Sequence, residues 1–290
     1  MSERDSYYGR AILKEPVWTW EIPTYFFTGG LAGASATLGW AAQVNDNQPL
    51  AGAAWSAALG GIVVSPALLI SDLGQPKRFL NMLRMFKLTS PMSVGSWVLA
   101  GSGAASTAAF ARARLRRLPR LGKASAAVGG AILGPALCTY TAVLVSDTAV
   151  PAWHEARLQL PFVFAGGSIA AAGAAACIFT PPANAAPARR LAIAGATIEL
   201  LASQAMERHL GELGEPYHEG RSGRFARAAK SLSAAGAAAI AARGSGRTGA
   251  AIGGTLVLAG SLCERFAVYH AGFRSARDPR ATVGPQRARK

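Results

Sequence analysis

Five long stretches of this 290-residue chain contain no aspartate, glutamate, lysine or arginine, and this pattern constrains the fold more than any other feature. They cover residues 24–44, 50–70, 91–111, 124–146 and 160–179. As a helix, each stretch is long enough to span the roughly 30 Å hydrocarbon core of a bilayer. Only helices and closed barrels satisfy their backbone hydrogen bonds in lipid, and alternating barrel strands are absent. The five stretches therefore predict transmembrane helices.

Three less uniform apolar spans follow, at residues 191–206, 225–242 and 250–263. They raise the predicted number of transmembrane helices to eight. A soluble alanine-rich bundle is the alternative, but its helices would each carry a charged face. The predicted fold class is therefore an all-α integral membrane protein.

An internal repeat divides the predicted helices into two sets of four. Asp-Leu-Gly-Gln-Pro at residues 72–76 follows the second helix, and Glu-Leu-Gly-Glu-Pro at residues 212–216 follows the sixth. We interpret residues 1–157 and 158–290 as two four-helix bundles. Because each bundle has an even number of helices, the two units point the same way and form a parallel repeat.

The repeat leaves two interpretations open for the eighth helix. By analogy with the fourth helix it runs to about His270, which places Glu264 and Arg265 inside the membrane zone. Alternatively it ends at Cys263, and both charges lie at the interface. Adjacent opposite charges at membrane depth are costly unless they are paired or hydrated.

Basic residues outnumber acidic residues by 30 to 15, a balance that by itself would suit a nucleic-acid-binding protein. The charges are confined to the segments between and after the apolar stretches, so we interpret the excess as membrane topology and a docking surface. No nucleic-acid partner is predicted. The distribution of lysine and arginine leaves the orientation in the membrane open.

Three polar residues stand out against this apolar background, each with a structural and a functional interpretation. Asp72 ends an uncharged helix and either terminates it or accepts a proton near the lipid boundary. Tyr140 is either an interfacial anchor or a hydrogen-bond donor to a quinone carbonyl. Glu199 lies at bilayer depth and suits either a proton relay or a structural hydrogen bond.

Metal and haem sites find little support in the sequence. The four histidines lie near helix ends or in loops, and the three cysteines are scattered without a Cys-x2-Cys spacing. We therefore predict no haem and no metal bound by this chain. If the protein handles electrons, the redox centres must belong to a diffusible lipid cofactor and a partner subunit.

Residues 71–84, together with Thr-Ser-Pro-Met-Ser-Val-Gly-Ser-Trp at 89–97, resemble the NrfD-like family, the membrane subunits of polysulfide reductase and related complexes. The resemblance extends over essentially the whole chain. It implies eight helices in two bundles and a haem-free subunit that reacts with menaquinone or another quinone. It also implies partners in the cell membrane: a [4Fe–4S] electron-transfer subunit and a molybdopterin catalytic subunit of the formate dehydrogenase or polysulfide reductase type.

The family pattern also suggests roles for individual residues. Carried over to this sequence, it makes Asp72, Tyr140 and Glu21 the candidates for the quinone pocket. The docking surface for the iron–sulfur subunit would comprise Gly74, Pro76, Lys77, Arg78, Asn81 and Arg84. Candidates for proton transfer are Glu199, Glu264, Arg265 and Asp147.

Two other functions remain open at this point. A parallel repeat with buried Glu199 and Glu264 also suits a proton-coupled transporter. A passive membrane anchor that only holds its partner is the second alternative. As a subunit of an oxidoreductase complex, the chain is not expected to have independent activity.

Overall fold

The computed structural model describes residues 13–74, 81–84, 86–115 and 119–282, and these residues contain helices and no β-strand. Eight of the described helices are long. They are α1 (Glu21–Val44), α2 (Gln48–Leu73), α3 (Pro91–Leu115), α4 (residues 119–146), α5 (Leu160–Phe179), α6 (Ala186–Leu210), α7 (Gly220–Arg243) and α8 (Arg247–Arg277). The all-helical fold class is therefore confirmed.

Four of these helices are long and apolar enough to cross a membrane: α2, the part of α4 from Arg120 to Ser146, α5 and α8. Three of the four contain an uncharged stretch found in the sequence. The uncharged stretches in α1 and α3 contain many glycine, serine and threonine residues. These residues give the two helices a lower mean hydropathy than the four helices named above. Absence of charge and high hydropathy thus select overlapping but different sets of helices.

Helix α8 decides between the two interpretations of the eighth span. It continues without interruption through Cys263 to Arg277. Glu264 and Arg265 consequently lie in the interior of a helix, and both are almost completely buried. The interpretation that places these charges at an interface is wrong.

Local sequence signals begin and end α2. The side chain of Asn47 accepts a hydrogen bond from the backbone N–H of Leu50, which satisfies one of the free donors of the first turn. Gly74 follows the last residue of α2 with a φ of 65°, the left-handed conformation that glycine adopts without strain. This turn places Asp72 at the end of the helix, next to the segment that precedes α1.

Helix α4 consists of three parts: Pro119–Ala127, a π-helical turn Val128–Leu133, and Gly134–Ser146. The π turn widens the helix where α1 crosses it, and the hydroxyl of Thr37 in α1 donates to the carbonyl of Gly130 at 2.8 Å. A single π turn inside a longer helix is a common local adjustment. Here it keeps a backbone acceptor satisfied at a close crossing.

Helices α1 to α4, the first half, and α5 to α8, the second half, have matching neighbours. In the first half α1 packs against α2 and α4, and α3 packs against both α2 and α4. In the second half α5 packs against α6 and α8, and α7 packs against both α6 and α8. The halves meet through α1, α2 and α4 on one side and α5 and α8 on the other. The largest hydrophobic cluster, which includes Phe26 and Phe164, lies between them.

Glycine allows α5 and α6 to touch backbone to backbone. A Cβ atom on Gly173 would lie 2.3 Å from the amide nitrogen of Ala192, and one on Gly195 would lie 2.2 Å from that of Ala170. Small residues at such crossings are typical of membrane helices, whose association depends on close van der Waals packing. The short distance between α5 and α6 brings Glu199 into the interior of the second half.

We predict that Gly195→Ala lowers the melting temperature of the detergent-purified protein, because the added methyl group meets backbone that cannot move aside. Overpacking of this kind costs about 1–3 kcal/mol. The matched control is Gly60→Ala in α2, where a Cβ would have no heavy atom within 4 Å. Equal melting temperatures for the two variants would contradict the proposed role of Gly195.

Candidate functional site

A cavity of about 100 Å³ lies where the ends of α1 to α4 meet the segment before α1. Most of its wall is apolar, and four polar side chains interrupt it. The polar lining residues are Tyr25, Asp72, Ser96 and Tyr140, and the apolar ones include Trp18, Phe26, Met82 and Met92. Of the residues predicted for a quinone pocket, Asp72 and Tyr140 therefore line one cavity.

Asp72 is held at this cavity by Thr19, a residue of the segment before α1. Its Oδ1 atom accepts hydrogen bonds from the backbone N–H of Thr19 at 3.1 Å and from the hydroxyl of Thr19 at 2.9 Å. A carboxylate that accepts a backbone N–H bond is fixed in direction as well as in place. Asp72 thus closes one side of the cavity while remaining partly exposed.

Glu21, the third residue predicted for the pocket, does not line the cavity itself. It is joined to Asp72 through the hydroxyl of Thr19, which is hydrogen-bonded to a carboxylate oxygen of Glu21, and it also accepts a bond from Ser71 at 3.1 Å.

The hydroxyl of Thr19 has one hydrogen but contacts two carboxyl groups. It can donate to Glu21 or to Asp72, but not to both. If Asp72 carries a proton, it donates to the Thr19 oxygen while Thr19 donates to Glu21, and every contact is then a hydrogen bond. This arrangement accommodates a proton on Asp72 without loss of a partner.

Two tyrosines face each other across the cavity. Tyr140 comes from α4 and Tyr25 from α1, and the hydroxyl of Tyr25 is buried without a hydrogen-bond partner in the described part of the chain. Gly95 in α3 makes room for Tyr140, since a Cβ there would lie 1.9 Å from its Cζ atom. The two phenols are close enough to interact with each other. A buried phenol whose hydrogen bonds are incomplete is costly, so the pair offers at least one O–H donor to a ligand acceptor.

Three of the six residues predicted for partner docking belong to the described part of the chain, and they lie beside this cavity. Gly74, Asn81 and Arg84 are exposed. Pro76, Lys77 and Arg78 lie outside the described residues.

A second polar cluster lies inside the second half, well away from the helix ends. Glu199 of α6 is 2 % exposed, and its Oε2 atom accepts hydrogen bonds from Ser261 at 2.9 Å and from Ser233 at 3.3 Å. Glu264 of α8 is similarly buried and accepts a bond from Ser203 at 3.0 Å. Three different helices therefore supply donors to two carboxyl groups.

Arg265 lies next to Glu199 in this cluster. A Cβ atom on Gly167 would be 2.1 Å from Glu199 Oε1 and 2.9 Å from Arg265 Nη2. Both side-chain atoms therefore lie against the same glycine and close to each other. Arg265 also donates to the carbonyl of Phe164 at 2.7 Å and lies 4.0 Å above the centre of that ring. Glu199 Oε1 and Arg265 Nε and Nη1 have no hydrogen-bond partner among the described residues.

Three of the four residues predicted for proton transfer, Glu199, Glu264 and Arg265, are thus brought together. Asp147 is placed elsewhere: it is exposed where α4 ends. Among the described residues no hydrogen bond or ion pair joins it to the other three. The described residues also contain no group of three or more histidine, cysteine, aspartate or glutamate side chains that could hold a metal ion.

The sequence analysis missed Trp18, Thr19, Tyr25 and Gly95. Trp18 and Tyr25 belong to an aromatic run at the start of α1 that is equally typical of an interfacial anchor. Thr19 and Gly95 carry no signal in the sequence, because their importance depends on the distances to Asp72 and Tyr140. Only contacts between helices identify them.

Comparison with known proteins agrees with the residue pattern. A search of curated proteins found no match. The family model described as polysulphide reductase, NrfD matches residues 12–192, which is more than half of the chain and includes every residue lining the cavity. The resemblance noted in the sequence is confirmed, and this chain belongs to the polysulphide reductase NrfD family.

Proposed function

We propose that this chain is the haem-free membrane subunit of an oxidoreductase complex and exchanges electrons between membrane quinone and an iron–sulfur partner. The observation that carries the proposal is the cavity, which combines the carboxyl group of Asp72 with the phenols of Tyr140 and Tyr25. Family membership supports it, because members of this family are membrane subunits of quinone-interacting oxidoreductase complexes.

The lining of the cavity suits the oxygen-bearing edge of a quinone ring. Its volume of about 100 Å³ is below the roughly 150 Å³ of a cavity that holds one benzene ring, so it has room for part of a quinone head and not for the whole ring system. Aromatic and methionine side chains supply an apolar surface for the ring, and the phenols supply hydrogen-bond donors for its oxygens. We infer that one edge of the ring enters the cavity.

The residues of the cavity can manage the protons of quinol oxidation, which releases two electrons and two protons. Tyr140 donates a hydrogen bond to a ring oxygen, and Asp72 accepts the protons one after the other. Each proton then passes through the hydroxyl of Thr19 to Glu21, which lies toward the surface. A docked iron–sulfur partner would supply the acceptor for the two electrons, and the same residues of this chain would serve quinone reduction in reverse.

We propose that all eight long helices span the cell membrane as two parallel bundles, residues 1–157 and 158–290. The matching neighbours of α1–α4 and α5–α8 support this arrangement. The partners would be a [4Fe–4S] subunit, which docks beside Gly74, Asn81 and Arg84, and behind it a molybdopterin catalytic subunit. This assignment puts the partner's cluster at the end of the first bundle that contains the cavity.

We further propose that the buried cluster in the second bundle holds an exchangeable proton. Two carboxyl groups, Glu199 and Glu264, face one guanidinium group, Arg265. The cluster is neutral only when one carboxyl group is protonated, and a net charge at this depth is costly. Proton uptake and release by the cluster would give this subunit a route for coupling proton transfer to quinone chemistry.

Purification of the chain from its native membrane tests the main proposal. We expect an iron–sulfur subunit and quinone to co-purify, and the complex to exchange electrons with a soluble quinone analogue. A stable complex without quinone reactivity would instead indicate a passive anchor. A lone, quinone-free protein that moves a solute and protons across liposomes would indicate a transporter.

Three substitutions at the cavity should slow electron exchange with the quinone analogue while leaving the complex assembled. Asp72→Asn removes the proton acceptor, and general acid–base groups contribute roughly 10²-fold or more. Tyr140→Phe removes a neutral hydrogen bond, which contributes about 1 kcal/mol or roughly fivefold. Thr19→Val removes a hydrogen bond to a carboxylate, which contributes about 1.5–3 kcal/mol or roughly 10- to 100-fold. Steady-state kinetics of the purified complexes measure the effect.

The matched control is Thr19→Ser, which keeps the hydroxyl group and should retain nearly the full rate. If Thr19→Val and Thr19→Ser were equally active, the hydroxyl would have no part in proton transfer. If Asp72→Asn and Tyr140→Phe both showed unchanged kinetics, the cavity would not be the quinone site.

Glu199→Gln and Glu264→Gln should lower the number of protons moved per electron while leaving electron exchange with quinone in place. The substitution keeps the shape of the side chain but removes the titrating group. The measurement is the pH change inside proteoliposomes during turnover. Glu212→Gln, an exposed acid of the same bundle, is the control, and an equal proton yield in all three variants would exclude the cluster from proton transfer.

A further inference from the structure

Residues 13–19 form a segment without regular secondary structure, here called the strap, that leads to the start of α1. Two of its residues belong to the cavity described above. Trp18 lines the wall, and Thr19 bonds to Asp72. The position of the strap therefore decides the shape of one side of the proposed quinone site.

The strap is fastened by residues outside the first four helices. The hydroxyl of Tyr269 in α8 donates to the carbonyl of Trp18 at 2.6 Å. The ring of Trp18 stacks on that of Trp153, in the short helix Pro151–Glu155, with centroids 5.5 Å apart and planes 22° apart. Within α1 its aromatic contact is an edge-to-face one with Phe26 at 6.3 Å.

A second attachment lies at the other end of the strap. Arg277, the last residue of α8, donates to both carboxylate oxygens of Glu15, at 2.6 Å and 2.8 Å. Hydrogen bonding from Arg277 lowers the pKa of Glu15 from its ordinary value. A bidentate pair of this kind fixes geometry as well as distance.

Helix α8 also holds the partner on which Trp18 stacks. The indole N–H of Trp153 donates to the carbonyl of Val268 at 2.7 Å. The ring lies against Gly272, where a Cβ would be 1.9 Å from the indole. Val268, Tyr269 and Gly272 lie within about one turn of α8. One short segment of the second bundle therefore sets two contacts of Trp18, the hydrogen bond from Tyr269 and the stacking on Trp153.

We infer that Tyr269 is a positioning residue for the quinone cavity: from the second bundle it holds the strap, and through the strap the wall formed by Trp18. This inference rests on the proposed function of the cavity. It explains why the helix that contains the buried cluster also reaches the site in the first bundle. Loss of the attachment frees the wall formed by Trp18 and weakens quinone binding. Asp72 and Tyr140 stay in place on their helices, and Thr19 keeps its own two bonds to Asp72.

Tyr269→Phe in the purified complex tests the inference. The ring is kept and one hydroxyl is lost, so we expect KM for the quinone analogue to rise about fivefold with little change in kcat. Hydrogen–deuterium exchange of residues 13–19 should become faster. The matched control is Tyr217→Phe, a buried tyrosine of the second bundle whose hydroxyl has no hydrogen-bond partner among the described residues.

A charge exchange provides a second test. Glu15→Arg and Arg277→Glu each place like charges together and should raise KM about two- to fivefold, the range of exposed ion pairs. The double variant restores the pair with its direction reversed and should return KM toward the wild-type value. A merely structural role of either residue would not predict this rescue.

The outcomes separate the two proposals. If the wild-type complex exchanges no electrons with quinone, the proposed function fails. If the wild type is active but Tyr269→Phe has an unchanged KM, or loses kcat alone, the positioning role is overturned and the proposed function stands. Absence of rescue in the double variant also counts against the attachment of the strap.

Discussion

The cost of an uncompensated charge among apolar helices is the constraint on which the structure depends. Ionisable side chains therefore lie at or near the ends of the long helices or in groups with partners. Glu199, Glu264 and Arg265 lie far from the helix ends, but they have partners. Serine hydroxyls donate hydrogen bonds to both carboxyl groups, and the guanidinium group carries the opposite charge. Small residues make the cluster possible, since the crossing of α5 and α6 at Gly195 brings Glu199 close to the other helices. Packing and electrostatics are thus two aspects of one arrangement.

The proposed quinone cavity depends on a different balance, between apolar walls and a few polar groups whose hydrogen bonds are incomplete. Asp72 and Tyr140 come from helices that end or pass near the same level, and Thr19 connects the cavity to Glu21. The strap joins this site to α8, in the second half of the chain, through Tyr269. The two halves are therefore linked by hydrogen bonds as well as by the hydrophobic cluster between them.

Much of the fold could be predicted because absence of charge and hydrophobic character are properties of single segments. The all-helical class and the approximate positions of the helices follow directly from the sequence. The end of α8 could not be predicted, since Glu264 and Arg265 look like the end of an apolar span until their partners are known. At the site, Asp72 and Tyr140 were recognisable from their positions and the family pattern, whereas Thr19 was not.

By itself the sequence determined that the chain forms long apolar helices, that it belongs to the NrfD family, and that Glu199 lies within an apolar segment. The tertiary structure decided which of those residues meet. It brought Asp72 and Tyr140 to one cavity, gathered Glu199, Glu264 and Arg265 into one cluster, and left Asp147 exposed. The physical reason is that the hydrophobic pattern of a helix is contained in its own residues, whereas the distances between side chains of different helices depend on how the helices cross. Contacts between residues far apart in sequence, such as Tyr269 with Trp18, have no local signature.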